Sequence, residues 1–305
     1  MESLFINANG LRFHVHAWGD SSLPVAVLLA GTAFVAETWF PFAEGLSQRY
    51  RVYAIDRRGH GASDKPQSGY EFFDFAEDLV AVMDALDITA ELAVGHSAGA
   101  TDILVAATLR PDLFKQLFVH EPTVADPEPN ASPVTLPESA VSYKDSVRSR
   151  RYQFPSRAEA MDHFRAREPY IRWPESAVLS QWNAGLKASE AGGVELSLHP
   201  DLELQILDPV LYAIANLYRV DHRGDPFQRF NTLAHPIALV HSSDSEPMFS
   251  IMIERARKIF PNIVLDLTLS DTRHCAPQEN PKGMLAGVDA FIELVASGER
   301  REMVL

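Results

Sequence analysis

Ser97 lies in AVGHSAGA (residues 93–100), between Gly95 and Gly99 and directly after an apolar run. A serine hydroxyl is a poor nucleophile until a base takes its proton. Residues 91–96 read as a buried strand and the residues from Ala98 onward as a helix. A sharp turn between the two would expose the hydroxyl at the carboxyl edge of a sheet, and neighbours without bulk would let strand and helix approach. The start of the helix adds free N–H groups and a positive dipole end, which suit a developing oxyanion. The other role for such a serine is a helix N-cap; the strand before it and the helix after it favour the nucleophile.

His274, in LSDTRHCAPQENP, is the candidate base. It follows the last apolar strand and falls in a loop, where functional side chains concentrate, although a surface histidine would also sit there. Such a base needs a carboxylate to fix its tautomer and to stabilise the imidazolium. Two are placed for this: Glu121, ending KQLFVHE, and Asp244, in HSSDSEP after PIALVH.

The elements that must position these groups alternate. LFINANGLRFHVHAWG reads as a hairpin around Asn9-Gly10. The strands 25–31, 51–56, 91–96 and 115–121 are separated by helical patterns near 36–49, over 72–87 and after Ala98. This βαβα rhythm predicts a parallel sheet with helices on both faces. Residues 122–137 then carry Pro122, Pro127, Pro129, Pro133 and Pro137, which exclude a central strand or a helix. From about 140 to 230 the patterns are helical, with no buried strand. The β rhythm resumes with strands over 236–241 and 262–269 and helices near 248–260 and 282–297. One α/β domain interrupted by a helical insertion accounts for this order.

With these residues in hand, the chain resembles an α/β-hydrolase over essentially its whole length. The resemblance rests on GHSAG, on DRRGHGASDKP (56–66), on Gly31-Thr32 after VAVLLAG, and on His274 ahead of Gln278-Glu279-Asn280-Pro281. It implies a mostly parallel, eight-stranded sheet with helices on both faces and an inserted helical cap. The division would be 1–121 for the first part of the core, 122–231 for the cap and 232–305 for the second part of the core. The stretch RSRRYQFPSRAEAMDHFRAREPYIRWP (148–174) is similar to the cap of bacterial serine-hydrolase-like proteins. In this resemblance Ser97 is the nucleophile and His274 the base, and the backbone N–H groups of Thr32 and Ala98 form the oxyanion hole. The acid departs from the commonest pattern. Counted from Pro236, the usual aspartate position holds Ser245, and Asp244 is one residue off. Val119-His120-Glu121-Pro122 resembles members that carry the acid after the preceding strand, such as zearalenone lactone hydrolases and one class of haloalkane dehalogenases. Glu121 is therefore favoured as the acid, with Asp244 the alternative.

The bulk numbers are those of an ordinary globular protein with a sizeable core. The 305 residues are 46% hydrophobic and 22% charged, with a net charge of −14 and one cysteine, Cys275. The acidic balance argues against nucleic-acid binding, a single cysteine excludes an internal disulfide, and no apolar run is long enough to span a bilayer. No signal peptide is evident at the amino end, so a cytoplasmic location is expected. Gly59-His60-Gly61 lacks the third glycine of a dinucleotide fingerprint. His14 and His16 share a strand face but have no third ligand nearby, and the arginines of 148–172 are interleaved with acids as on a solvated helical face. Neither a cofactor nor a metal is expected.

The expected reaction is hydrolysis of a carboxylic ester or lactone through an acyl-enzyme, with no membrane or nucleic-acid partner. The substrate would be small and partly hydrophobic, in a pocket lined by Phe34, Trp39, Trp173 and Trp182 between core and cap. Carbon–carbon bond hydrolysis or acyl transfer on the same residues stays open. So does a different class of role, a non-catalytic ligand receptor of this fold.

Overall fold

Asn9 and Gly10 reverse the chain with φ of 46° and 74°, the doubly positive turn that Asn-Gly favours. They join β1 (Glu2–Ala8) to β2 (Leu11–Trp18) with Ala8 opposite Leu11. The structure, a computed structural model, describes residues 1–126, 135–136 and 138–305. Pro122 precedes the gap and is neither helix nor strand; Pro127, Pro129, Pro133 and Pro137 lie outside the described residues.

The remaining core strands are β3 (Val25–Leu29), β4 (Arg51–Ile55), β5 (Leu92–His96), β6 (Leu117–His120), β10 (Ile237–Ser242), β11 (Ile263–Leu269) and β12 (Arg301–Val304). They form one nine-stranded sheet in the order β1-β2-β4-β3-β5-β6-β10-β11-β12. Only the pairs β1/β2 and β2/β4 are antiparallel. The sequence led us to expect eight strands. The ninth is β12, four residues of mostly exposed REMV paired in parallel with β11; a short charged edge strand shows no apolar alternation to read.

The central strands are apolar throughout because both faces are covered. Val27, Leu29, Val119 and Leu239 join one core cluster, while Ala26, Leu28, Phe118 and Val240 join the other. This is the period-two alternation of a strand with two buried sides. The first face packs against α2 (Phe72–Leu86), α3 (Ala98–Leu109) and α8 (Pro247–Ile259). The second packs against α1 (Phe40–Leu46) and α10 (Pro281–Ser297). Phe118 is wholly buried, with the Phe291 ring 6.2 Å away; truncation of such a ring to alanine costs ~3–5 kcal/mol.

Between β6 and β10, neighbours in the sheet, the chain makes α4 (Glu138–Arg148), α5 (Arg157–Arg165), α6 (Glu175–Gly185) and α7 (Pro200–Ile214). It also makes three short strands, β7 (Gln153–Phe154), β8 (Leu186–Ala188) and β9 (Val194–Leu196), in a small antiparallel sheet. The sequence showed no strand here, because two- and three-residue strands are too short for a period to register. An aromatic cluster around Phe154, Phe164, Trp173 and Trp182 joins α5, α6 and the short strands and touches the core through Phe34 and Cys275, while α4 and α7 pack with α8 around Val147, Leu211 and Phe249.

Candidate active site

Ser97 ends β5 and opens α3 with φ 55° and ψ −126°, a conformation outside the ordinary basins. The turn is this tight because α3 lies directly on the backbone beside it. A Cβ at Gly99 would stand 2.5 Å from the carbonyl oxygens of Leu29 and Ala30, so only glycine fits. The serine is partly exposed, whereas its strand is buried. On the other side the loop after β3 presses against it: a Cβ at Gly31 would come within 2.9 Å of Ser97 Cβ.

Glu121 follows β6 with φ 44°. Its backbone N–H donates to Val240 O (2.9 Å), and the Ser97 N–H donates to His120 O (2.9 Å). The ends of β5, β6 and β10 are thereby stitched side by side. The Glu121 side chain is 1% exposed. It accepts from the Ser242 N–H through Oε1 (3.0 Å) and bonds His274 Nδ1 through Oε2 (2.6 Å). Burial pushes its carboxyl up, but the hydrogen bond from His274, the His120 and His274 charges and the Ser242 amide outweigh burial and bring it down to about 2. Glu121 therefore stays an anion.

His274 stands in the turn between β11 and the short helix α9 (Ala276–Glu279). Its ring stacks on Phe249 (3.7 Å between centroids, 14° between planes). Its carbonyl accepts from His96 Nε2 (2.8 Å), which ties the residue before Ser97 to the loop of His274. The His96 and His274 rings are 4.8 Å apart. Among the described residues no hydrogen bond joins Ser97 Oγ to the His274 ring; such contacts are often long before substrate binds. Asp244, the other carboxylate the sequence left open, is exposed. It accepts from Ser243 Oγ (2.8 Å), and its N–H donates to Thr272 O (3.0 Å), without reaching His274.

The N–H groups of Thr32 and Ala98 have no hydrogen-bond partner among the described residues. The loop carrying Thr32 is held elsewhere. The Ala33 N–H donates to His60 Nε2 (3.1 Å), and His60 Nδ1 donates to Arg58 O (2.9 Å). Burial, reinforced by the Arg57 charge, pushes His60 down to about 3, so it remains a neutral acceptor. The Ala36 N–H donates to Asp56 Oδ1 (2.6 Å). These are the roles of Asp56 and His60 in DRRGHG, a segment that carried the resemblance without assigning either residue a function.

Seven non-glycine residues have positive φ among the described ones. Asn9, Asp87 and Asn216 serve a hairpin turn and two helix ends. The other four, Ala33, Ser97, Glu121 and Asp271, fall on the loops that converge here. Backbone strain collects at functional sites in this way.

Of the aromatic residues expected to line a pocket, Phe34 lies 5.7 Å from the His96 ring and 5.5 Å from Trp173. Trp182, stacked on Phe164, borders a small cavity shared with Ala33, Val35, His60 and Gln181. Trp39 is a correction: it is 0% exposed, packed against Phe42 in the core. Arg150 is another. It pairs with the buried Glu203 (2.6 Å) at the edge of the same cavity rather than lying on a solvated face. The Cys275 thiol is buried and pushed up by burial, so it stays a neutral packing group. His14 bonds Asp56 (2.8 Å) and Ser3 (2.8 Å), a structural clasp. Among the described residues no group of three or more His, Cys, Asp or Glu is arranged to hold a metal ion, and no helix is long and apolar enough to cross a membrane.

A family model described as the alpha/beta hydrolase fold matches residues 15–281. Among curated relatives, 2-(acetamidomethylene)succinate hydrolase of Mesorhizobium japonicum is 34% identical over 106 residues, 35% of this chain and 38% of that protein. An epoxide hydrolase of Caballeronia sordidicola is 35% identical over 116 residues, 37% of this chain and 35% of its own. These alignments span well under half of either relative. The crystal structure of E-2-(acetamidomethylene)succinate hydrolase superposes with a TM-score of 0.76 over 96% of this chain and 99% of that one, at 21% identity, a likeness of fold.

Proposed function

The chain belongs to the α/β-hydrolase family, and from that premise we propose that it is a serine hydrolase cleaving a carboxylic ester or lactone through an acyl-enzyme. Ser97 attacks the carbonyl. His274 takes the hydroxyl proton and delivers it to the leaving alkoxide. Glu121 holds the Nδ1–H of His274 and stabilises the imidazolium. The N–H groups of Thr32 and Ala98 receive the tetrahedral oxyanion, and water activated by His274 then releases the acid. Residues 122–231 act as the cap over this site, with 1–121 and 232–305 as the two parts of the core.

The observation that supports the reading most is the 2.6 Å contact between His274 and a 1%-exposed Glu121, one strand over from a serine on a strained strand-to-helix turn. A serine at position 97 cannot form the alkyl-ester intermediate of an aspartate nucleophile, so epoxide opening of that type is not proposed. The aromatic cap favours a medium-sized, partly hydrophobic acyl compound.

The test is a panel of p-nitrophenyl esters of rising chain length with aryl lactones. An acetanilide is added because one relative is named for an acetamido compound. A fluorophosphonate probe is run alongside, with Ser97→Ala as control. Turnover above the control, with the probe on Ser97, is the expected result. Turnover no higher than the control, with no labelling, would overturn the reading in favour of a receptor.

A further inference from the structure

We infer that Gln181, on the cap helix α6, is a positioning residue for the oxyanion hole: its side-chain amide fixes the loop that presents the Thr32 N–H. The inference rests on the proposed acyl-transfer chemistry at Ser97. Gln181 is 1% exposed and 146 residues from the loop it touches. Its Oε1 accepts from the Val35 N–H (3.2 Å) and its Nε2 donates to Ala33 O (3.1 Å). The assignment is self-consistent, since a flipped amide would face donor with donor and acceptor with acceptor.

The loop needs such an agent. Between the end of β3 and the 3₁₀ turn at Ala36–Trp39 it belongs to no regular element. Ala33 holds a φ of 71°, and the one internal turn bond, Phe34 N–H to Gly31 O, is long at 3.3 Å. His60 and Asp56 hold the loop from the core side, at the Ala33 and Ala36 amides. Gln181 holds it from the cap side, at Ala33 O and the Val35 amide. Four backbone groups around Thr32 are thus fixed by side chains, while the Thr32 N–H is left without a partner among the described residues. An oxyanion donor acts through pre-set placement, and a small displacement weakens it without removing it. Docking of α6 is therefore part of assembling the hole.

The test compares wild type with Gln181→Met, which keeps side-chain length and removes both hydrogen bonds. The measurements are kcat and KM on a p-nitrophenyl ester, and Ki for an aryl trifluoromethyl ketone, whose hemiketal oxygen on Ser97 would occupy the hole. The expected result is a kcat lower by about 10- to 100-fold with KM within about threefold, and a Ki weakened by a factor that tracks the loss in kcat/KM. An unchanged kcat, or a lower kcat with an unchanged Ki, overturns the inference. Should Gln181→Met fail to fold, Gln181→Glu carries the same test. It keeps the acceptor for Val35 and loses the amide donor to Ala33 O, and unchanged kcat and Ki would again overturn it. Wild type without turnover overturns the acyl-transfer reading and this inference with it; wild-type turnover beside an unaffected Gln181 variant overturns this inference alone.

Discussion

Around His274 the neighbouring imidazoles are held uncharged. The His96 and His120 rings lie 4.8 and 6.3 Å from it. Burial pushes His96 well below its ordinary range, and burial pushes His120 down to about 4 against the opposing charge of Glu121. His60, at about 3, behaves likewise. The sign follows from linkage: the unfolded chain takes up these protons below pH ~6.5 while the folded chain refuses them, so stability is full above that pH and falls with acidification until the folded values are reached. His60→Gln keeps an acceptor for the Ala33 amide and removes one such proton. Between pH 7 and 5 its urea-derived stability should fall by about 1–2 kcal/mol less than that of wild type; an identical fall would contradict this. Glu121 adds a lower window. Its depressed carboxyl contributes stability above the ordinary glutamate range, and that contribution is lost as pH falls toward 2. At this scale the sequence named Ser97, His274 and both candidate acids, since each lies at or within a few residues after the end of a recognisable strand. It favoured Glu121 over Asp244 only through the resemblance of Val119-His120-Glu121-Pro122, because the residues alone do not show which loop end faces the imidazole. Gln181 was illegible, being one glutamine on a helix whose target lies 146 residues away.

At the scale of the element, the helix that follows Ser97 is anchored by a buried ion pair. Helix α3 is pinned by Asp102, wholly buried, which accepts from Arg57 Nε at 2.5 Å, with Arg57 also over the Phe75 ring. Burial raises the Asp102 carboxyl to about 6, with Arg57 opposing the rise. Removing one partner of a buried pair strands the other charge, so Asp102→Ala should cost about 3–5 kcal/mol in denaturant unfolding and loosen the start of α3. A loss under about 1 kcal/mol would show that the pair anchors nothing. The strands of this layer were readable because both of their faces are buried, as Ala26 to Leu29 illustrate. β12 and β7–β9 were not, because their pairing is set by neighbours rather than by their own few residues.

At the scale of the molecule, core and insertion are joined by polar contacts that include Arg223 with Asp74, Arg273 with Glu168 and Gln181 with the loop after β3. Arg255 on α8 donates from Nη1 to Val124 O (3.2 Å), Ala213 O (3.4 Å) and Ile214 O (2.9 Å). One guanidinium thus ties the segment after β6 to the carbonyl end of α7, where a cation is favoured. Arg255→Met should lower stability by about 2–3 kcal/mol by leaving those carbonyls unsatisfied, and should speed proteolysis within residues 122–231. Wild-type unfolding and cleavage would contradict it. That β6 and β10 pair although a long stretch of chain separates them agrees with the return of β rhythm at 236. How that stretch docks was not legible in the sequence, because Arg255 and Gln181 look like ordinary helix residues until the fold brings their partners to them.

The central claim is that Ser97, His274 and Glu121 act as one unit. It is tested most directly by kcat for hydrolysis of a p-nitrophenyl ester by Glu121→Gln and Asp244→Asn, both verified as folded. The account predicts a loss of about 10³- to 10⁴-fold for Glu121→Gln and a rate within about threefold of wild type for Asp244→Asn. A rate abolished by Asp244→Asn and spared by Glu121→Gln would contradict it.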